Sequence, residues 1–283
     1  MGILPDGTAE LIRASLEEDI GSGDVTAEAT VPAGREARAH IVQKGPGVVF
    51  GLDVVEEVFS RLGSLEIDRT VIEGHWHEEV PRDIALITGP ARTLLAGERV
   101  ALNFLGHLSG VATLTARFVD AVAGTGVRIL DTRKTTPGMR LLEKRAVSWG
   151  GGLNHRIGLY DGVLIKENHI EIAGGVAEAV RACSEFSPGL MIEVEAESPE
   201  QVREALEVGA DRILLDNMTP SGLKEAVAAR EAAGGGVELE ASGGIGLDNV
   251  RAVAETGIDF ISIGALTHSA PALDLSLLIE PAR

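Results

Sequence analysis

The sequence of 283 residues is long enough for one large domain or two moderate ones with a buried core. Its net charge of −18 and aromatic content of 3% argue against nucleic acid as a partner, because binding a phosphate backbone needs a broad basic surface. No apolar run reaches membrane-spanning length, and acidic residues near the N-terminus are unlike the basic start of a signal peptide. We therefore expect a cytoplasmic protein that binds neither nucleic acid nor membrane.

The first 126 residues follow no regular strand–helix period. The predicted elements in chain order are a helix over 8–20, a strand over 36–43, a helix over 52–62, strands around 65–73 and 84–89, and helical stretches near 96–109 and 110–122. We expect a sandwich-like α+β domain over residues 1–110, which the C-terminal segment 270–283 joins.

From residue 127 onward, apolar runs rich in β-branched residues alternate with helical patterns. Six such runs begin at Val127, Gly162, Leu190, Arg212, Val237 and Phe260. Strand–helix–strand repeats predict a parallel sheet, and eight of them would close a full barrel. The six units predict an α/β fold with an incomplete parallel βα-barrel over residues 111–269.

One segment of this acidic chain is locally basic. Between Arg133 and Lys166 there are seven cations and two acids, a pattern typical of a site that concentrates its field on a small polyanion. Arg140, Lys144 and Arg145 fall on a predicted helix with polar neighbours, and we interpret them as solvated or surface-paired charges. The other four cations lie among glycine, threonine and apolar residues: Arg133, Lys134, Arg156 and Lys166.

Polar groups follow each predicted barrel strand, where βα-barrels carry their active sites. Arg133 and Lys134 follow the first strand. A guanidinium can hold a carboxylate with two hydrogen bonds, and an ammonium can act as a point charge on phosphate. An ion pair with Glu143 or Asp131 is the structural alternative, and the position at a strand end favours the functional interpretation.

Two more cationic groups follow in the chain. His155 and Arg156 come after the three glycines 150–152, which let backbone approach a ligand closely, although a flexible linker with an incidental pair has the same pattern. Lys166 ends an apolar strand, where an unpaired ammonium is costly. We expect its partner to be a carboxylate or a ligand.

Glu195 and Asp216 end the next two strands. Two carboxylates at one barrel mouth suit Mg²⁺, which prefers a few protein oxygens together with substrate phosphates. The alternative is that the two carboxylates balance the nearby cations. Both roles are possible one after the other: the carboxylates would pair with cations in the empty site and bind the metal in the loaded site. We therefore expect Mg²⁺ as cofactor.

Glycines near the last two strands predict a phosphate site. Ser242, Gly243 and Gly244 precede a predicted helix from Leu247, whose first N–H groups would face a phosphate. Gly264 ends the following strand and would complete the late-strand phosphate site common in barrels.

Four other histidines need an interpretation. His75 and His77 would share one face of a strand, but with no third ligand nearby we interpret them as structural or surface residues. His169 is expected to support the site by hydrogen bonding rather than to catalyse. His268 lies just past the predicted phosphate loop, and the sequence favours neither of two roles for it: capping the phosphate site or supporting the structure.

Seven motifs occur in order along the chain: E-D-I-G-S-G-D-V-T (18–26), T-R-K-T-T-P-G (132–138), G-G-G-L-N-H-R-I-G-L (150–159), L-I-K-E-N-H-I (164–170), I-E-V-E (192–195), L-L-D-N-M (214–218) and A-S-G-G-I (241–245). Together they resemble quinolinate phosphoribosyltransferase, also called nicotinate-nucleotide pyrophosphorylase (carboxylating), over about residues 10–275. The resemblance implies a pentosyltransferase of de novo NAD biosynthesis. Its substrates would be phosphoribosyl pyrophosphate and quinolinate, and its products nicotinate mononucleotide, pyrophosphate and CO₂.

The resemblance also implies roles for the residues above. Quinolinate carboxylates would be held by Arg133, His155 and Arg156, and the phosphoribosyl donor would be contacted by Lys134 and Lys166. Ribose hydroxyls and Mg²⁺ would be served by Glu195 and Asp216, and the 5′-phosphate by Ser242, Gly243, Gly244 and Gly264. Arg99 resembles the arginine that such enzymes insert into a partner subunit's site, which implies a homodimer or higher homo-oligomer.

Three alternatives stay open. A paralogue of the same fold, of the molybdenum-transport-associated type, would act on another acid; the N-H-R motif and the intact set of cations favour quinolinate. A Schiff-base aldolase would use Lys166, and borohydride trapping would support it. A non-catalytic ligand-binding protein would bind without turnover.

Overall fold

The computed structural model describes residues 4–282. Its helices are α1 Thr8–Ile20, α2 Val25–Thr30, α3 Leu52–Ser60, α4 Ala91–Ala121, α5 Arg140–Trp149, α6 Glu167–Ala173, α7 Val176–Phe186, α8 Pro199–Glu207, α9 Pro220–Ala232, α10 Val250–Ala254 and α11 Ala265–His268. Its strands are β1 Glu36–Gln43, β2 Gly47–Val48, β3 Glu66–Arg69, β4 Trp76–His77, β5 Arg82–Pro90, β6 Arg128–Leu130, β7 Val163–Ile165, β8 Ile192–Ala196, β9 Arg212–Asp216, β10 Glu238–Ser242, β11 Phe260–Ser262 and β12 Leu275–Pro281.

The chain groups into two compact units. The first contains the described residues up to Ala116, together with Thr135–Gly151 and the described residues from Thr267 onward, and the second contains Arg117–Lys134 and Gly152–Leu266. None of the helices in the described part of the chain combines the length and the apolar content needed to cross a bilayer.

The first unit is built on an antiparallel sheet with strand order β12-β1-β5-β3. In β1 the side chains of Ala37, Ala39 and Ile41 are buried at alternate positions, as expected for a strand with one face on a core. The C-terminal strand β12 pairs with β1, with Leu277 opposite Ile41. The chain therefore returns to its first sheet after the second unit is complete.

The stretches predicted near 96–109 and 110–122 are helical, but the structure joins them in one helix, α4. Gly110 does not end this helix. A Cβ there would lie 2.2 Å from the carbonyl oxygen of Pro271, and the backbone N–H of Leu273 donates to the carbonyl of Gly106 at 2.9 Å. These two glycines let the C-terminal segment pack directly on the helix backbone. Their presence inside a helix is therefore explained by tertiary contact, which helix propensity does not take into account.

The interpretation of Lys144 as a surface charge is also wrong. Its side chain is 2% exposed, because a wide face of α5 is buried, including Leu142, Glu143 and Val147. Glu143 is buried with it, and its Oε1 lies 2.8 Å from Nε2 of His107. The polar residues next to Lys144 in the sequence suggest an exposed helix face, but Glu143 is instead buried and paired with His107 inside the first unit.

The second unit confirms the predicted incomplete barrel. Its six strands are all parallel, in the order β6-β11-β10-β9-β8-β7, and this order leaves β6 and β7 as its two ends. Well-capped helices return the chain between strands. The hydroxyl of Ser198 accepts from the N–H of Gln201 before α8, and that of Thr219 from the N–H of Gly222 before α9.

Gly110→Ala and Gly222→Ala should change stability in opposite directions. Both glycines lie in helices, but the new methyl group at 110 meets a fixed carbonyl, whereas at 222 the nearest atom is 3.7 Å away, an ordinary contact. We expect Gly110→Ala to lower the free energy of unfolding by about 1–3 kcal/mol and Gly222→Ala to raise it by up to about 1 kcal/mol. Urea denaturation measures both, and equal shifts of the same sign would contradict the packing account.

Candidate active site

The barrel strands bring chemically active side chains together because alternate residues of a strand face the same side. In the register of the sheet, Glu195 and Glu240 are both opposite Leu214, and Ser242 is opposite Asp216. A cavity of about 400 Å³ opens in the second unit, lined by Thr132, Arg133, Lys134, His155, Arg156, Leu164, Lys166, Glu195, Leu214, Asp216, Glu240, Ser242 and Ser262.

Most of the residues predicted for a site meet in this cavity. Those lining it are Arg133, Lys134, His155, Arg156, Lys166, Glu195, Asp216 and Ser242. Gly243, Gly244 and Gly264 follow β10 and β11 but are not among the lining residues. Arg99 lies elsewhere, on α4 of the first unit, with an exposed side chain.

At the mouth of the cavity, cations and carboxylates are paired. Lys166 Nζ lies 2.5 Å from Glu195 Oε2, so the expected carboxylate partner of this lysine is Glu195. The Lys166 side chain is 48% exposed, which leaves its ammonium accessible to a ligand. The amide of Asn217 donates to Asp216 Oδ2 at 2.7 Å.

Arg133 and Arg156 form a region of concentrated positive charge. Burial, together with the nearby charge of Arg133, lowers the pKa of Arg156. The Nη1 of Arg156 donates to the carbonyl of Gly162 at 3.0 Å, which fixes the guanidinium at the cavity wall. Two cations that disfavour each other's charge would both be stabilised by an anion bound between them.

A second, fully buried layer of charge lies beneath the mouth. His155 Nε2 is 2.9 Å from Glu193 Oε2 and 3.7 Å from Glu240 Oε1. On the other side, Arg212 Nη1 donates to Glu240 Oε2 at 3.3 Å, and its Nε and Nη2 donate to Glu238 at 3.0 and 2.6 Å. The floor of the cavity consists of His155, Glu193, Arg212 and Glu240, and of these Glu240 and His155 line the open side. Glu238 lies outside it, with a side chain that is 41% exposed.

His155 is held both at its backbone and at its ring. Its backbone N–H donates to Asp131 Oδ1 at 2.8 Å, and its Nδ1 accepts from the N–H of Arg156 at 2.8 Å. Nδ1 is therefore the acceptor, and Nε2 holds the proton that faces Glu193. Burial acts to lower the pKa of His155, but the contacts with Glu193 and Glu240 outweigh it, and the pKa is raised.

Sequence reasoning missed the residues of the floor. The sequence pattern places Arg212 and Glu240 within apolar strands and Glu193 and Asp131 in strand-end groups, but it assigns none of the four a role in the site. The available signal was the alternation of charge in strands that are otherwise buried: E-V-E, R-I-L-L-D and E-L-E-A-S. Charges two residues apart in such strands face the same side, and inside a barrel that side is the interior.

The predicted glycine loop has the expected conformation, but the helix after it is shorter. Gly243 and Gly244 have φ of 91° and 63°, and a Cβ on Gly243 would lie 2.2 Å from the amide oxygen of Asn217. The predicted start at Leu247 is wrong, because α10 begins at Val250. The Asn249 side chain accepts from the N–H of Gly246 and donates to the carbonyl of Gly244, which holds the segment as a loop.

The remaining histidines take supporting positions. His169 Nδ1 accepts from the backbone N–H of Lys166 at 3.0 Å, as expected of a residue that orients the site. His268 Nδ1 contacts the hydroxyl of Ser269 at 2.6 Å. In the first unit, His77 Nδ1 lies 2.9 Å from Arg82 Nη1, a contact with a cation that does not suit a metal ligand.

An open parallel βα-barrel with clustered cations at its strand ends defines an anion-binding enzyme fold. Family descriptions match almost the whole chain: "Quinolinate phosphoribosyl transferase, N-terminal domain" over residues 24–109 and "C-terminal domain" over residues 111–278. The chain belongs to the quinolinate phosphoribosyl transferase family.

Named relatives agree with this assignment. The chain is 43% identical over 277 residues to the nicotinate-nucleotide pyrophosphorylase [carboxylating] of Mycobacterium leprae, covering 96% of this chain and 97% of the relative. It is 42% identical to the probable enzyme of that name from Bacillus subtilis, covering 92% and 89%. The solved structure of nicotinate-nucleotide pyrophosphorylase from Francisella tularensis superposes with a TM-score of 0.93 at 38% identity, covering 98% of both chains.

Glu240 should make the stability of the protein fall as pH rises. Burial, and next the charge of Glu193, raise the pKa of Glu240 from 4.5 to about 8. Between these values the folded form holds a proton that the unfolded form has lost, so the free energy of unfolding decreases with pH. Glu240→Gln removes this titration. We expect the wild-type unfolding free energy to fall more steeply than that of the variant, by up to about 1.4 kcal/mol per pH unit.

Urea denaturation of both proteins from pH 5 to 8 measures the difference. From pH 5 to pH 8, the unfolding free energy of the variant should decrease less than that of the wild type. Parallel curves would show that Glu240 is ionised in the folded protein throughout this range.

Proposed function

We propose that the protein transfers a phosphoribosyl group from phosphoribosyl pyrophosphate to quinolinate, with decarboxylation, and so makes nicotinate mononucleotide for NAD biosynthesis. Membership of the family supports the reaction, as do the names of relatives at 42–43% identity. The observation that carries the proposal is the arrangement of Arg133 and Arg156 beside the Lys166–Glu195 pair in one cavity. It offers one place for a dicarboxylate and another for a phosphorylated sugar.

The acid would lie against the arginines. Each guanidinium can hold a planar carboxylate with two hydrogen bonds, and quinolinate has two adjacent carboxylates. Burial and then the charge of Arg133 lower the pKa of Arg156, and an anion bound there would stabilise the charged guanidinium. The ring nitrogen needs no activating base, only orientation toward the sugar carbon.

The donor would lie toward the other strand ends. Lys134 and Lys166 would contact its pyrophosphate, and the open backbone of Gly244 with Ser242 would receive the 5′-phosphate, completed by Gly264. As the bond to pyrophosphate breaks, negative charge develops on the leaving group and positive charge on the sugar. Fixed ammonium groups stabilise the former, and the carboxylates of Glu195 and Asp216 can stabilise the latter.

The same two carboxylates fit a magnesium ion. Their oxygens are hard ligands that both line the cavity, and the few protein ligands suit an ion that keeps water and substrate phosphates. The ion, when bound, would supply charge neutralisation on the pyrophosphate. Glu195 would then exchange its contact with Lys166 for the metal, which frees the ammonium for the donor.

A Schiff-base aldolase is less well supported. Condensation with a carbonyl requires an amine that is free to attack, whereas Nζ of Lys166 donates to Glu195 Oε2 at 2.5 Å. We also propose a homodimer or larger homo-oligomer in which Arg99 enters a partner's cavity. The expected cytoplasmic location stays a prediction from the sequence.

The reaction itself is the first test. With Mg²⁺ and phosphoribosyl pyrophosphate, we expect nicotinate mononucleotide and CO₂ from quinolinate and no product from nicotinic acid, which lacks the second carboxylate. Liquid chromatography of the nucleotide and trapping of labelled CO₂ measure both products. If the donor binds but quinolinate yields nothing, the proposal is wrong; borohydride trapping of Lys166 would then favour the aldolase.

The shared site can be tested by mixing two inactive variants. Arg99→Ala and Lys166→Ala should each abolish activity, by removing one residue of the same composite site. In random heterodimers one of the two sites regains both residues, so mixing after reversible dissociation should restore about a quarter of the wild-type activity.

Arg117→Ala is the matched control, since Arg117 is a second exposed arginine on α4. It should keep wild-type activity. No recovery in mixtures that mass spectrometry shows to contain heterodimers would contradict a role for Arg99 in the partner's site.

A further inference from the structure

We propose that Glu240 is the acid that delivers the proton replacing CO₂ on the pyridine ring, with His155 and Arg212 positioning its carboxyl group. The proposal rests on the proposed function and adds a residue to its second chemical step. It arises from the buried floor of the cavity, which the phosphoribosyl transfer does not use.

The chemistry requires such an acid. After transfer, the ring nitrogen is alkylated and positive. The bond from the adjacent ring carbon to its carboxylate breaks, CO₂ leaves, and the electron pair stays on that carbon, where the positive nitrogen stabilises it. The new C–H bond forms with one proton as CO₂ departs, before CO₂ can recombine with the carbon, so the net rate of CO₂ release depends on the acid, and the donor gains the negative charge. Positioned acids accelerate steps of this kind by about 10²–10⁴-fold.

Glu240 is placed to be this donor. It lines the cavity although its side chain is 0% exposed to solvent. Its Oε2 accepts from Arg212, whereas Oε1 accepts no hydrogen bond from any described residue. A buried carboxyl oxygen with no donor partner is the one expected to hold a proton rather than a charge.

The charges around Glu240 also favour its neutral form. Glu193 faces it from β8, and the Nε2 of His155 and one oxygen from each carboxylate lie within 4.8 Å of one another. Arg212 on β9 is shared with Glu238, to which it makes the two shorter hydrogen bonds. The charge of His155, a hydrogen bond with Ser262 on β11 and the charge of Arg212 act in the opposite direction and lower the pKa of Glu240. Burial and the charge of Glu193 outweigh them, and the pKa of Glu240 is raised.

The same neighbours suit the state after donation. Arg212, already in contact at 3.3 Å, stabilises the new carboxylate, and Nε2 of His155 lies 3.7 Å from its Oε1. Solvent entering the cavity after product release restores the proton. Lys166 is a poorer candidate, because its ammonium is needed as a fixed charge on the phosphates of the donor and its side chain is 48% exposed.

Glu240→Gln separates the two steps, because an amide of the same shape cannot donate the proton. Rapid-quench single turnovers with carboxyl-labelled quinolinate report the release of pyrophosphate, the labelled mononucleotide intermediate and CO₂. We expect pyrophosphate release within about threefold of wild type, CO₂ release slowed about 100-fold or more, and the dicarboxylate nucleotide accumulating.

Glu238→Gln is the matched control. Glu238 lies on the same strand and also contacts Arg212, but its side chain is 41% exposed and does not line the cavity. Both steps should stay within about threefold of wild type in this variant. If Glu240→Gln releases CO₂ at the wild-type rate, or slows both steps equally, Glu240 is not the proton donor.

The wild-type enzyme gives a second measurement that needs no variant. The rate of CO₂ release in a single turnover should fall as pH rises through about 8, where Glu240 loses its proton. A rate that is constant well above that pH overturns the proposal. Absence of both pyrophosphate and CO₂ from wild type would instead refute the proposed function.

Discussion

Everything in the cavity depends on one constraint, the placement of alternate strand residues inside the barrel. Because side chains two residues apart share a face, a single strand such as β8 contributes Glu193 to the floor and Glu195 to the mouth. Charged groups inside a fold are costly unless paired, so each layer needs its own countercharges. The neighbouring strand supplies one in Arg212, and the loop before β7 supplies another in His155.

The two layers differ in solvent access, and this difference separates their roles. At the mouth, the half-exposed ammonium of Lys166 can leave Glu195 for a phosphate at little cost, because exposed ion pairs contribute little free energy. In the floor, breaking a pair would leave a buried, uncompensated charge, which costs several-fold more. The groups that bind substrate therefore lie at the mouth, where ion-pair partners can be exchanged. The groups that orient other residues lie in the floor, where such an exchange is costly.

The sequence was sufficient for the barrel and for the mouth of its cavity. Strand–helix periodicity identified all six parallel strands, and position at strand ends selected Arg133, Lys166, Glu195 and Asp216. It was insufficient where distant segments meet. The packing of Pro271 on Gly110 explains the unbroken helix α4, and no local pattern contains that contact. Lys144 was misjudged for the same reason, since its burial comes from tertiary packing around α5.

The floor shows why buried acids are informative even when they add nothing to stability. Replacing a whole buried ion pair by well-packed hydrophobic residues is often neutral or stabilising, and the surroundings of Glu240 disfavour its ionised form. A residue whose charge opposes folding at neutral pH is retained most readily where that same destabilised charge does chemistry. Arg212 and His155 reduce the free-energy cost of ionising Glu240 without removing it. They also hold its carboxyl group where the cavity meets the barrel interior.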